Sequence, residues 1–394
     1  MNALKSLLAN GVTVLHPEST YIADDVNPAR IAAGVTLHPG CRLSGKDLSI
    51  GPGSEIGAEA PATVRDCQLG AKVHLAGGFF EKATFLDGFK AGSGAHVRPG
   101  CLFEEGSSIA HSVGVKQTVF LPWVTAGSLI NLCDALMAGG TSRKAHSEIG
   151  SSYIHFNFTP QRDKATPSLI GDVPRGVLLN NDAIFLGGQG GIVGPCKIEY
   201  GTVIPAGQIW RGDVTEPKRL VAKTGFKRNI DTPYDGRTYS NVLRVARNNL
   251  TYIGNILALD AWYRVVRAPF MSCDPFQLAC HQGALQRISE ILTERVSRLN
   301  EFALNAANAP DDTNRAFAEQ WTSAKDTLTQ NITNRETAMV PHEVTVIVER
   351  LPKENYLQAI QSLNSVDAHI LTLWLNWRVL ASERTLEGEE AGGC

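Results

Sequence analysis

An aliphatic or aromatic residue returns every six positions through Val97, Phe103, Ile109, Val115 and Leu121. Four positions after each stands a small or β-branched residue: Cys101, Ser107, Val113, Val119 and Thr125. The same frame runs earlier through Ile31, Leu37 and Leu43, and later through Leu186, Ile192, Ile198 and Ile204. A period of six excludes an amphipathic helix, whose apolar spacing is three and four. It supplies one short strand and one turn per repeat, so three repeats close a triangular coil of about eighteen residues. The aliphatic residue fills the interior at each face, and glycines such as Gly100 and Gly106 accept the backbone of a tight corner. Residues 21–214 are therefore expected to form an all-β left-handed parallel β-helix of about ten coils, roughly 45–50 Å tall.

Two polar, turn-rich stretches break the frame, at residues 138–147 and 159–167. Loops that leave a regular solenoid are where function collects. After Val214 the texture changes. Residues 215–238 are rich in Lys, Pro and Gly and read as a linker or strap. Helical spacing then takes over for an all-α region over residues 239–384. Its stripes are Val242, Val245, Ile253, Ile256 and Leu259, then Leu285, Ile288, Leu292, Val296 and Leu299. A third helix is expected to start at Asp311-Asp312, and a last one carries Leu357, Ile360, Leu363, Ile370, Trp374 and Trp377. Residues 1–20 form an N-terminal segment and 385–394 read as a disordered tail.

The formal net charge of −2 lacks the basic excess of a nucleic-acid binder. No apolar run is long enough for a membrane span, and the first residues do not read as a signal peptide. Eight cysteines without tight pairing suit small buried hydrophobes in a reducing compartment, so a cytoplasmic protein is expected. Histidines 74, 96, 111, 146 and 155 lack the close spacing of a metal site, and no metal is expected.

Residues 98–134 read RPGCLFEEGSSIAHSVGVKQTVFLPWVTAGSLINLCD, and residues 148–172 read EIGSSYIHFNFTPQRDKATPSLIGD. With the closing stretch FLGGQGGIVGPCKIEYGTVIPAGQIWRGDV, they resemble the acetyltransferase half of the bacterial bifunctional N-acetylglucosamine-1-phosphate uridyltransferase/glucosamine-1-phosphate acetyltransferase family. No counterpart of that family's uridylyl-transfer domain precedes the repeats, and GGQGG at residues 187–191 lies inside the repeat frame. The resemblance implies that Arg98 and Lys116 grip a sugar phosphate, a role that a guanidinium fork and an ammonium suit. It places Asn157 between the sugar and acetyl-coenzyme A, matches Lys164 to a later substrate lysine, and sets Gly188 and Ala206 where the coenzyme lies. It also implies a homotrimer with sites between neighbouring subunits.

The departures fall on the chemistry. The family's catalytic histidine is replaced by Ser128, and its tyrosines by Asn131, which then lines the substrate pocket, and by Phe158. Serine is no general base near neutral pH. His155 is the expected substitute, because strand alternation puts it on the same side as Asn157. His111 and His146 are the other imidazoles nearby. Two functions follow: acetyl transfer from acetyl-coenzyme A to a sugar phosphate or nucleotide sugar, or a non-catalytic protein that keeps the sugar-phosphate pocket.

Overall fold

The computed structural model describes residues 3–157, 165–223, 239 and 241–386. Parallel strands stack coil upon coil in one ten-stranded sheet and one sixteen-stranded sheet that turns between the other two faces. Together they make the left-handed parallel β-helix that the six-residue period requires. The ten-stranded sheet runs from Thr13–Val14 to Val203–Ile204, so the ladder opens before Tyr21, where the repeat first becomes legible. In each strand the inward residue is buried, as at Leu37, Ile56, Leu75, Ile109, Ile149, Leu186 and Ile204. The strands Gly114–Phe120 and Asn131–Met137 each cross a corner and serve two faces, pairing one coil down and one coil up on both. Midway along the axis the interior is aromatic, with Phe85 and Phe103 stacked at 5.4 Å.

One corner carries left-handed backbone at four residues that are not glycine. Ser112, Leu129, Ser152 and Gln189 occupy it in successive coils with φ of 56°, 60°, 61° and 50°. Each donates its amide to the carbonyl of the corner residue below: Ser93, His111, Ser128 and Ser151 respectively. Left-handed backbone at non-glycine residues costs of order 1 kcal/mol each, and here the ladder on both sides holds it.

The helices are α1 (Ala3–Ala9), α2 (Val173–Gly176), α3 (Val242–Trp262), α4 (Ala268–Met271), α5 (Pro275–Ala307), α6 (Asp312–Thr333), α7 (His342–Arg350), α8 (Tyr356–Gln361) and α9 (Ser365–Glu383). They do not stand apart from the β-helix. α5 lies along one face, over Ser49–Ile50, Gln68–Leu69, Ala83–Phe85 and Cys101–Phe103. Contact is backbone-close at Gly283, where an added Cβ would stand 2.2 Å from Gln68 Oε1 and 2.7 Å from Thr84 Oγ1. α3 packs beside Ser168–Ile170, and α9 packs on α3.

Buried charge pins the two halves. Arg267 reaches Glu104 at 2.9 Å and Glu105 at 2.6 Å, Tyr263 donates its hydroxyl to Glu104 at 2.7 Å, and Arg295 meets Asp134 at 2.8 Å. The strap begins as a continuation of the coil, since Val214 and Leu220 still bridge to Ile198 and Val203. Residues 224–238 lie outside the described residues. Thr385 and Leu386, expected in a disordered tail, form a buried turn beside α6; residues 387–394 lie outside the described residues.

Candidate active site

The open corner carries a hydrogen-bonded pair. His111 and Ser128 follow one another in the same corner file of successive coils, and His111 Nδ1 and Ser128 Oγ stand 2.7 Å apart on an exposed surface. Ser151, one coil further on, accepts the Ser128 amide on its hydroxyl at 3.1 Å. Gly188 and then Ala206 continue the file, as the carbonyl links from Ser151 to Gln189 and from Gly188 to Gly207 record. Beyond the imidazole, then, the corner is a smooth channel of serine, glycine and alanine. Leu129, Ile154, Phe185 and Ile209, all exposed, stand along its flanks. The coils approach closely here, for a Cβ added at Gly188 would stand 2.7 Å from Ser151 O.

From this corner the strand leads across a face that the described helices leave open, on which the expected sugar-phosphate residues gather. The pairing of Val97 with Val115 puts Arg98 next to Lys116, and Lys116 lies opposite Cys133 in the next coil. Asn131 is exposed on the same face, three residues past Ser128. Arg98 extends past Lys116, its Nη2 donating to Cys133 Sγ at 3.1 Å, and Cys133 Sγ points to Asn131 Oδ1 at 3.7 Å. At the far edge α5 reaches over the next corner, where Glu294 stands 3.8 Å from Lys116 Nζ and 2.9 Å from Arg298 Nε. Hydrogen bonding and charge from Arg298, with Lys116 adding to them, hold the Glu294 carboxyl below its usual range against the opposing effect of burial. A carboxylate of the chain itself thus takes part of the place where two stacked cations call for an anion.

His155 does not join them. It pairs with Ile192, an interior residue, and so belongs to the inward file of its strand. The neighbours Ile154 and Phe156 point outward instead. Its Nδ1 donates to Cys133 O at 2.5 Å, its Nε2 lies 2.8 Å from Ser168 Oγ, and Ser168 is fully buried. A carbonyl can only accept, so the proton sits on Nδ1 and Nε2 takes the serine hydroxyl. Burial lowers the pKa of the ring. With both nitrogens committed to Cys133 O and Ser168 Oγ, the half-buried ring is a structural group, and the expectation that it faces the sugar as a base is corrected on that ground. Asn157, exposed just past the end of that strand, accepts the Thr166 hydroxyl at 3.1 Å. Lys164 and Phe158 lie outside the described residues. The remaining imidazole, His146, hydrogen-bonds Arg143 O at 2.9 Å within its own loop.

The frame held the signal for both histidines. His155 lies six residues after the interior Ile149 and so falls on an interior position, whereas His111 lies two after the interior Ile109, at a corner. What the sequence hid was the coil length. The step from Ile109 to Ala126 is seventeen residues, and only that register sets Ser128 directly over His111. Among the described residues no three His, Cys, Asp or Glu side chains converge as metal ligands.

No family model matches the chain. The bifunctional protein GlmU of Thermotoga sp. (strain RQ2) is 28% identical over 215 residues, 54% of this chain and 43% of that protein. The bifunctional protein GlmU of Thermus thermophilus is 34% identical over 159 residues, 40% of this chain and 33% of that protein. The chain thus spans less than half the length of the curated relatives it matches. A UDP-N-acetylglucosamine acyltransferase from Campylobacter jejuni is a slight structural likeness, at 13% identity and a TM-score of 0.20 over 32% of this chain and 66% of that one.

Proposed function

We propose that this chain, similar over its repeats to the bifunctional proteins named GlmU, is an acyltransferase that acts on a sugar phosphate or nucleotide sugar with acetyl-coenzyme A as donor. The observation that carries the reading is the 2.7 Å contact of His111 with Ser128 at the open corner. His111 is the base. It accepts the proton of the attacking amine or hydroxyl, directly or through the Ser128 hydroxyl, as the acceptor attacks the thioester carbonyl and the coenzyme leaves as its thiol. Imidazole is the side chain suited to that work near neutral pH. Arg98, Lys116 and Asn131 bind the phosphorylated sugar, and the channel over Ser151, Gly188 and Ala206 takes the pantetheine arm. No metal has a part in this scheme.

Copies meet, on this reading, across the two faces that the helices leave open, in a homotrimer whose subunits close over the shared corner. A particle mass that is a multiple of three chain masses is the expected result; any other multiple overturns the trimer. For the chemistry, the protein is incubated with acetyl-coenzyme A and a panel of amino-sugar phosphates and nucleotide sugars, and the released thiol is followed. Turnover with one acceptor is expected. Arg98→Ala should weaken that acceptor by about 1.5–3 kcal/mol, the range for a hydrogen bond to a charged group. The second reading, a non-catalytic binder of the same ligand, draws on Ser128 standing where a histidine is expected. Saturable binding of a sugar phosphate without any thiol release would establish it instead.

A further inference from the structure

α9 is apolar on two opposite faces. One face, with Ala368, Leu371, Trp374, Leu375 and Val379, is buried, largely against α3. The other carries Val366, Ile370, Leu373, Trp377 and Leu380, at successive spacings of four, three, four and three. Four of the five stand largely in solvent, Val366 at 66% exposed, Leu373 at 54%, Trp377 at 50% and Leu380 at 46%, while Ile370 is half-buried. Met339, 75% exposed, extends the strip, its carbonyl held by Arg378 Nη2 at 3.3 Å. A helix that is apolar all round belongs in an interior. A contiguous apolar strip on a surface marks an interaction site. The alternation of four and three is the 3.5-residue repeat of a helix-to-helix seam, so the missing occupant is another helix with the same repeat.

We infer that the occupant is α9 of a second copy, laid antiparallel. The seam is complementary to itself in that orientation. With Ile370 set against the second copy's Leu373, the same shift sets Val366 against the second copy's Trp377. The smallest residue then faces the largest, and each contact occurs twice about one two-fold axis, as a closed isologous interface requires. Of the residues flanking the seam, His369, Asn376 and Ala381 carry no fixed charge, Asp367 is paired with Arg350 at 3.1 Å, and the register sets each Arg378 opposite Ser365 of the second copy, away from its like. Antiparallel packing also sets the two helix dipoles against each other favourably. The seam from Val366 to Leu380 is about 21 Å long at 1.5 Å per residue. Its buried surface falls at the small end of specific interfaces, so the contact is concentration-dependent in the micromolar range. It is independent of the catalytic reading and doubles whatever assembly the β-helix makes.

Particle mass by sedimentation from about 1 to 200 μM tests this, over a range that brackets the expected dissociation constant. The mass should double across the range for the unaltered chain and stay at the lower value for Ile370→Glu and for Leu373→Lys. Leu304→Glu, an exposed leucine on α5 that lies off the seam, should double as the unaltered chain does. Mixing the Ile370→Glu chain with the Leu373→Lys chain should restore the doubled mass, because the antiparallel register sets the two new charges face to face and keeps one native layer. A mass that does not double at 200 μM, or an equimolar mixture that stays at the lower mass, overturns the inference.

Discussion

Two faces of the same prism follow one repeat and end in opposite chemistry. The face under α5 presents Ser49, Gln68, Thr84 and Glu104, all buried, each uncharged or paired with a group from a helix or a neighbouring coil. The open face presents Arg65, Glu81, Arg98, Lys116 and Asn131, partly or fully in solvent. The inward residues are alike on both, so the six-residue period specifies the coil and says nothing of which face is covered. What decides is the outward residue, and a buried outward carboxylate such as Glu104 is tolerable only because Arg267 and Tyr263 arrive with the helices. Stability is concentrated on the covered face and chemistry on the open one.

The sharpest break in that contrast is Arg267→Ala. It leaves the buried Glu104 and the half-buried Glu105 without their cationic partner and should cost about 3–5 kcal/mol of unfolding free energy, read from urea denaturation. Arg98→Ala, on the open face, should stay within about 0.5 kcal/mol of the unaltered chain in the same measurement. A comparable loss from both would erase the distinction between the faces.

Next comes the pH dependence. Burial pushes the Glu104 carboxyl up to about 7 against the opposing pull of Arg267. A carboxyl raised above its unfolded value near 4.5 favours the fold fully below that value, and the contribution is lost as pH rises through about 7. The urea midpoint should therefore fall between pH 5 and pH 8, and Glu104→Gln should flatten that part of the profile. A midpoint that rises over this window in the unaltered chain and not in Glu104→Gln would reverse the assignment.

A smaller effect is expected at the start of α5, where Asp274 accepts the amides of Phe276 and Gln277, both at 2.9 Å. Asp274→Ala should cost about 1 kcal/mol, the usual value of an N-cap, and should leave ligand binding on the open face unchanged. Smallest is Glu294→Gln. Freeing Lys116 from a part-exposed carboxylate should raise affinity for inorganic phosphate two- to five-fold, within the roughly 1 kcal/mol that such pairs are worth. No gain on titration calorimetry would mean that Glu294 does not compete with an anion there.

Much of the coil was readable in advance, because interior residues repeat at a fixed spacing that no other fold requires. Ile109, Val115 and Leu121 are buried where the frame puts them. The stacking of Arg98 on Lys116 was also legible, since their coil has eighteen residues. The partner of Ser128 was not, because the following coil is one residue shorter. His155 was misread for a different reason. Alternation grouped it with Asn157, but the strand ends at Phe156, and which side of it is the inside is fixed by the frame through Ile149, which turns the ring inward. The apolar stripes announced helices, yet nothing in them named the face they cover. That depends on close approach at Gly283 and on the pairs from Arg267 and Arg295, which join residues more than a hundred positions apart.

The central claim is that the imidazole at the open corner, and not the one inside the coil, does the chemistry. Its direct measure is kcat/KM for acyl transfer in His111→Ala and His155→Ala, each checked for native secondary structure by circular dichroism. Loss of a general base should lower the His111→Ala value by about 10²–10⁴-fold, with acceptor binding kept, while His155→Ala loses stability but holds turnover within a few-fold. Full turnover in His111→Ala together with loss in a folded His155→Ala would contradict it.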